Sequence, residues 1–213
     1  MPDQQVRHPL FAWFYSRVST SLDAAGVGQL RAELLAGLSG AVVEVGAGNG
    51  LNFGHYRDTV AGVLAVEPEP HLRGRAEQAA ASAAVPVKVV EGTAEQLPAE
   101  GGSADAVVAT LMFCSVPDVS AALAEIRRVL RPGGQLVFME HVRGESRVCQ
   151  FVQRVADGTI RPALMGGCRT HRDPVAAIKT AGFTVVRLTT YRQPESRLPW
   201  PTVPHARGIA VRD

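Results

Sequence analysis

The stretch Glu44-Val-Gly-Ala-Gly-Asn-Gly50 decides how this sequence folds. It continues the short apolar run 41–45, whose length and valine content are typical of a buried parallel strand. A glycine loop in that position lies beyond the carboxyl end of a central strand, where open α/β sheets bind their ligands. Because glycine lets the backbone approach a ligand closely, we predict a ligand site at the end of this first strand.

The spacing of the glycines argues against two common phosphate-binding loops. A dinucleotide GxGxxG motif would need its third glycine at Leu51, one residue beyond Gly50. The loop also lacks the GKS or GKT sequence of a P-loop. The acid Glu44, two residues before the first glycine, favours a ligand with an ammonium group over one with a pyrophosphate.

Strand and helix signals alternate along the chain. Apolar or β-branched runs predict four further strands at 62–66, 85–90, 104–110 and 135–141. Helices are predicted at 51–56, after Glu69 up to Ala84, and after Asp118, the last ending at 131–134. This alternation is typical of a doubly wound, Rossmann-like α/β sheet with right-handed crossovers and helices on both faces.

The two ends of the chain complete this architecture. Residues 1–40 are expected to be mainly helical, and Asp173 with Pro174 predicts a helix that ends at Gly182. Two β-rich runs at 184–190 and 206–211 predict a terminal antiparallel hairpin, so that the sheet has seven strands and is mostly parallel. Between them we expect an irregular loop with prolines at 194, 199, 201 and 204.

Composition restricts the classes of function. The 213 residues predict one domain, and a net charge of +2 is too balanced for binding driven by nucleic acid phosphates. Cys114, Cys149 and Cys168 contain no CxxC pair, which argues against a disulfide framework or a structural zinc site. The apolar patch 10–15 is too short for a signal peptide or an integral membrane segment, so we expect a reduced, cytoplasmic setting.

Glu67 closes the second predicted strand, 17 residues after Gly50. A lone acid at a strand end is usually a solvated loop residue. Beside a glycine loop one strand earlier, however, its carboxylate is placed to accept hydrogen bonds from the hydroxyl groups of a ribose.

Together these residues resemble the class I S-adenosylmethionine-dependent methyltransferases, whose first motif is ExGxGxG and whose second is an acid after strand two. The segment Glu91–Pro98 is similar to the family stretch GDAEQLP beside the adenine, and Leu130–Gly134 resembles the turn before strand five. Thr93 stands where many members have an Asp that binds the adenine amino group, so in this chain either the Thr93 hydroxyl or a backbone carbonyl would bind that group.

The resemblance implies S-adenosyl-L-methionine as cofactor, S-adenosyl-L-homocysteine as product and a small-molecule substrate. It implies a set of cofactor-binding residues, namely Tyr15, Glu44, Gly46, Ala47, Gly48, Gly50, Asn52, Glu67, Pro68, Thr93, Ala94, Thr110 and Leu111. It also implies a single methyltransferase domain over 1–213, with an N-terminal helical cover (1–40), a cofactor-binding core (41–141), and substrate-side helices with the hairpin (142–213).

Four further segments narrow the resemblance, in order along residues 9–211. Ala109–Pro117, Phe138–Val142, Gly167–Arg172 and Pro204–Val211 are similar to the branch that contains the alkyl-thiol S-methyltransferases, and more distantly to quinone and phosphatidylethanolamine methyltransferases. This favours an apolar acceptor, with a thiol as the first candidate. Methylation of oxygen or carbon on a quinone-like or natural-product acceptor, and a cofactor-binding protein without turnover, stay open, as does the oligomeric state.

His141, after strand five, is the first candidate for a proton acceptor or substrate orienter, although it could equally be a hydrogen-bonded loop histidine. Cys114 is a second candidate, with packing as the simpler role. His171 and His205, with Cys168, show no metal-ligand spacing. We expect no metal, since a sulfonium methyl group is already activated for in-line displacement.

Overall fold

The structure is a computed structural model that describes residues 9–193 and 200–213. Its strands are β1 (Gly40–Val45), β2 (Val60–Val66), β3 (Val87–Val90), β4 (Ala104–Thr110), β5 (Leu130–His141), β6 (Phe183–Arg192) and β7 (Pro204–Arg212). They form one seven-stranded sheet in the order β3-β2-β1-β4-β5-β7-β6. Strands β1 to β5 pair in parallel, whereas β7 pairs antiparallel with both β5 and β6. The predicted fold class is therefore confirmed, including the C-terminal hairpin.

Helices cover both faces of this sheet. They are α1 (Pro9–Leu22), α2 (Gly28–Leu35), α3 (Pro70–Ala80), α4 (Val119–Val129), α5 (Arg147–Asp157), α6 (Arg161–Leu164) and α7 (Pro174–Thr180). Buried residues of α4 and α7 pack with Val107 on one face, and those of α2 and α3 pack with Val108 on the other. This is the alternation that a strand buried on both faces requires. Over the described ranges, no helix combines the length and the apolar character needed to cross a membrane.

Several predicted boundaries need correction. The helix predicted at 51–56 is a single 3-10 turn, Phe53–His55, and the one predicted after Glu69 up to Ala84 ends at Ala80. Strand β3 starts after Pro86, which has no N–H to donate. The predicted turn 131–134 lies inside β5, where the register with β4 is irregular.

The ends of the chain also differ from the simple prediction. The N-terminal helical region is broken by a π-helical turn, Asp23–Val27, in which Gly26 has a φ of 112°. Pro204 starts β7 instead of ending the loop, because it takes the first position of a strand. Residues 1–8 of the expected helical cover, and Pro194 and Pro199 of the expected loop, lie outside the described residues.

Candidate active site

The glycine loop connects β1 to the 3-10 turn at the carboxyl edge of the sheet. Gly46, Gly48 and Gly50 have φ values of 68°, 58° and 79°, in the left-handed region that L side chains rarely adopt. A Cβ at Gly46 would lie 2.9 Å from the Cβ of Met112, and one at Gly50 would lie 2.8 Å from the ring of Phe53. Backbone conformation and space together therefore require glycine at these two positions.

Glu67 brings the ends of β1 and β2 together. Its Oε2 accepts a hydrogen bond from the Gly48 N–H at 2.7 Å, and its Oε1 accepts one from the Glu69 N–H at 3.0 Å. Burial raises the pKa of this carboxyl to about 6, although the two amides oppose the shift. Each oxygen keeps a further lone pair, so the carboxylate can accept two more hydrogen bonds from a ligand.

A cavity of about 410 Å³ opens beside Glu67 and the glycine loop. Nine residues predicted to bind cofactor line it: Tyr15, Gly46, Gly48, Glu67, Pro68, Thr93, Ala94, Thr110 and Leu111. The other four predicted residues do not line it: Glu44, Ala47, Gly50 and Asn52. The fold thus brings the first group to one cavity, whereas Ala47 and Gly50 belong to the loop without lining the cavity, and Glu44 and Asn52 are buried.

Glu44 lies beneath the loop with only 1% of its surface exposed. The Tyr56 hydroxyl donates a hydrogen bond to its Oε2 at 2.5 Å, and Asn52 donates one to its Oε1 at 3.0 Å. Burial raises the pKa of the Glu44 carboxyl to about 7, against the opposing effect of these donors. The sequence suggested direct contact with a ligand ammonium group, but the carboxyl is enclosed by these neighbours and does not line the cavity.

This burial predicts a pH effect for Glu44→Gln. The folded-state pKa, about 7, lies above the ordinary value of 4.5, so the folded protein holds the proton longer than the unfolded chain. The contribution of Glu44 to the free energy of unfolding is therefore largest at low pH and falls as the pH rises through 7, by about 3 kcal/mol in total. We expect the variant to lose this decline.

Urea unfolding of both proteins at pH 5 and pH 8 measures the difference. The pKa values of Glu67 and Glu140 are also raised, so these two groups make the free energy of unfolding fall with pH as well. The result is therefore the difference in pH slope between wild type and Glu44→Gln, not the slope of either protein alone. Identical pH slopes in wild type and Glu44→Gln would contradict the prediction.

A second cavity, of about 520 Å³, adjoins the first. Among the described residues, four line both cavities: Phe11, Tyr15, Leu111 and Ser115. The second cavity is mainly apolar, with Phe14, Met139 and Met165 in its wall. Helix α1 and the segment after α6 therefore contribute side chains to it.

The loop after β4 forms the partition between the cavities and contains a backbone outlier. Leu111 has a φ of 56°, an uncommon value for a residue with a branched side chain. Its N–H donates to the Met139 carbonyl at 2.7 Å. Glu140 Oε1 accepts hydrogen bonds from the N–H groups of Met112 and Phe113 at 2.8 and 3.0 Å. Glu140 is not among the site residues that the sequence predicted, although it lies within the segment Phe138–Val142.

Arg31 is a second residue that the sequence did not reveal. This α2 side chain is only 5% exposed and forms a 3.0 Å ion pair with Asp23. It also donates hydrogen bonds to Asn52 at 2.8 Å and to Thr110 at 3.3 Å. One buried guanidinium thus connects the N-terminal helices to the carboxyl ends of the central strands, a contact that no local pattern predicts.

His141 and Cys114, the two candidate catalytic residues, both line the second cavity. His141 pairs with His205 across β5 and β7, and their ring centroids are 4.5 Å apart. Cys114 contacts Cys168, and this contact and burial raise the pKa of the Cys114 thiol well above its usual value. The ligand atoms of Cys114, His141 and Cys168 all lie within 4.8 Å of one another.

This cluster changes the interpretation of the cysteines and histidines. The spacing of cysteines and histidines along the sequence did not indicate a metal site. The three members of the cluster come from separate segments: the β4–α4 loop, the end of β5 and the loop before α7. His171 and His205 are not members. The backbone N–H of His171 instead donates to Asp157 at 2.9 Å.

Comparisons with known proteins agree with this geometry. Residues 43–138 match the family model described as methyltransferase domain. The chain is 35% identical to the human thiol S-methyltransferases TMT1A and TMT1B, over 83% and 84% of its own length and 73% and 74% of theirs. An S-adenosylmethionine-dependent methyltransferase structure from Thermotoga maritima superposes with a TM-score of 0.70 at 22% identity, covering 96% of this chain and 98% of that one, which shows the shared fold.

The seven-stranded sheet, the glycine loop and these matches define a class of enzyme. The chain belongs to the class I S-adenosylmethionine-dependent methyltransferases. Among the curated relatives that it matches over most of its length, the human proteins are thiol S-methyltransferases.

Proposed function

We propose that this methyltransferase transfers the methyl group to the sulfur of a small, apolar thiol. The observation that carries the proposal is the pair of adjoining cavities, in which a mainly apolar space containing His141 shares the wall residues Tyr15 and Leu111 with the cavity beside Glu67. The thiol S-methyltransferases at 35% identity support sulfur as the accepting atom.

The first cavity fits S-adenosylmethionine on its own features. Gly46 cannot carry a side chain without meeting Met112, so the cradle depends on bare backbone. Glu67 has acceptor capacity suited to two ribose hydroxyls, and Thr93 and Ala94 line the wall where the adenine would lie. When bound, the cofactor supplies a methyl group already activated by the adjoining sulfonium charge.

The chain itself then has to align the acceptor, exclude water and remove a proton. Tyr15 and Phe11 from α1 cover the junction of the two cavities, and apolar walls favour an apolar acceptor. The thiolate is the reactive form of a thiol, so a proton acceptor beside it raises the rate. In the metal-free protein, the His141 imidazole has this role, with its ring packed against His205.

A substrate panel tests the proposal directly. Cofactor with a labelled methyl group is incubated with the enzyme and a series of alkyl and aryl thiols, phenols and quinols. We expect label on the thiols. Label on phenols or quinols alone would reject a thiol acceptor, and cofactor binding without any labelled product would favour a protein that binds the cofactor without turnover.

His141→Ala tests the role of the imidazole. We expect kcat with the best thiol to fall by about 100-fold, while cofactor affinity stays near the wild-type value, because His141 lines the second cavity and not the first. His171→Ala is the matched control, since it removes a histidine outside the cluster and should leave kcat unchanged. Equal kcat values for His141→Ala and wild type would refute this role.

A further inference from the structure

The cluster of Cys114, His141 and Cys168 contains two soft sulfur ligands and one imidazole. Their ligand atoms lie within 4.8 Å of one another, and both cysteines are buried. Two sulfur atoms bound at about 2.3 Å to a tetrahedral zinc ion are about 3.8 Å apart. Small side-chain movements are therefore enough to bring all three groups to one ion.

We propose that Cys114, Cys168 and His141 form a three-ligand Zn²⁺ site whose fourth position opens into the acceptor cavity. Thiolate and imidazole ligands suit zinc among the common divalent ions. A set of three protein ligands with one open position is typical of catalytic zinc, whereas structural zinc sites are closed by four. All three residues line the second cavity, so the open position faces the proposed acceptor.

Charge balance favours this ion in an apolar cavity. Zinc binding requires both thiols to lose their protons, so two thiolates and one Zn²⁺ form a neutral group that is less costly to bury than a free ion. A site with two cysteine ligands thus carries a divalent ion without net charge.

The backbone around the two cysteines is already held in place. The Arg169 N–H donates to the Cys114 carbonyl at 2.8 Å, and the Arg172 guanidinium donates to the carbonyls of Phe113 and Val116 at 2.7 and 2.6 Å. Asp157 of α5 accepts from the Thr170 N–H at 2.9 Å. The bonds of Arg169 and Arg172 join the two loops that carry Cys114 and Cys168, and the Asp157 bond holds the second loop to α5, which reduces the rearrangement needed for metal binding.

The role of the fourth coordination position rests on the proposed function, in which the acceptor is a thiol. An acceptor thiol that binds there forms a Zn–S bond as its S–H bond breaks, and the proton leaves to solvent. The product is a zinc-bound thiolate held in the acceptor cavity, with zinc in place of His141 as the group that favours deprotonation. No oxidant or reductant is involved.

Metal binding is measured without reference to activity. Metal-free protein is titrated with Zn²⁺ in competition with a chromophoric chelator, and separately with Co²⁺, whose absorption reports thiolate ligands and tetrahedral geometry. We expect one equivalent of each metal to bind and the cobalt spectrum to show sulfur charge transfer. Absence of stoichiometric Zn²⁺ binding overturns the proposal.

Variants assign the ligands. Cys114→Ser, Cys168→Ser and His141→Ala should each weaken Zn²⁺ binding by more than the roughly 10–100-fold that loss of an outer partner costs. Cys149→Ser is the matched control, because Cys149 is also buried but lies outside the cluster, and it should bind Zn²⁺ like wild type. Retained cofactor binding in each variant shows that it folds. Equal zinc affinities in all four variants would overturn the site.

A monothiol tests the open position. Adding propanethiol to the cobalt form should change the d–d bands, and an unchanged spectrum would overturn an open fourth position. Methyl transfer is measured on both metal-free and zinc-loaded enzyme. Failure of both forms to methylate thiols contradicts the proposed function alone, whereas thiol methylation by a protein that does not bind zinc contradicts the metal site alone.

Discussion

Glu67→Ala should lower the affinity for S-adenosylmethionine by about 100-fold or more, the largest binding effect that we expect from one substitution. The carboxylate is 5% exposed, accepts the N–H groups of Gly48 and Glu69, and has lone pairs left for two ribose hydroxyls. Charged hydrogen bonds contribute about 1.5–3 kcal/mol each, so loss of two accounts for the expected change. Isothermal titration calorimetry with the cofactor measures it.

Glu91→Ala is the matched control for this change. Glu91 is also a glutamate near the cavity, but its carboxylate is 55% exposed, pairs with Arg73 and does not line the cavity. Its loss should change cofactor affinity by less than about threefold, given the small contribution of exposed ion pairs. Unchanged affinity in Glu67→Ala would remove the basis for placing the ribose at Glu67.

The largest expected effect on stability comes from Arg31→Ala, which should lower the free energy of unfolding by about 3 kcal/mol or more. The guanidinium is buried and holds Asp23, Asn52 and Thr110 together. Removing one partner of a buried charged network leaves the others without compensation, which costs about 3–5 kcal/mol. Its positive charge also lowers the pKa of Glu44, so that carboxyl would become still harder to ionise.

Urea unfolding at pH 7 measures the loss, and Arg17→Ala provides the comparison. Arg17 is also an N-terminal arginine, but it is exposed and lies 3.9 Å above the ring of Trp13. Its removal should cost less than about 1 kcal/mol. If the two variants unfold at the same urea concentration, Arg31 does not join the helical cover to the core.

Local sequence was sufficient for the parts of the fold that depend on nearest neighbours. The glycine pattern 46–50 could be recognised because positive φ values need glycine at those positions regardless of what surrounds them. The central strands could be recognised because burial on both faces needs continuous apolar residues. Element ends were less certain, as at Ala80 and Pro204, because packing and edge position decide where a helix or strand stops.

The site also contains residues that could be predicted from the sequence and residues that could not. Glu67 was predictable since its place after β2 follows from the order of strands, and parallel strands bring their carboxyl ends to one edge. The position of Glu44 was not, because whether a carboxyl faces a cavity or the interior depends on Tyr56 and Asn52, which close over it only in the folded chain.

What the sequence by itself determined is the class of this protein: a Rossmann-like methyltransferase with a glycine loop after the first strand. What only the tertiary structure decided is the meeting of residues far apart in the chain. Arg31 reaches Thr110, and Cys114, His141 and Cys168 come from three separate segments to one point. The physical reason is that spacing along the chain encodes local backbone conformation, whereas a contact between distant segments exists only once the sheet and its covering helices have packed.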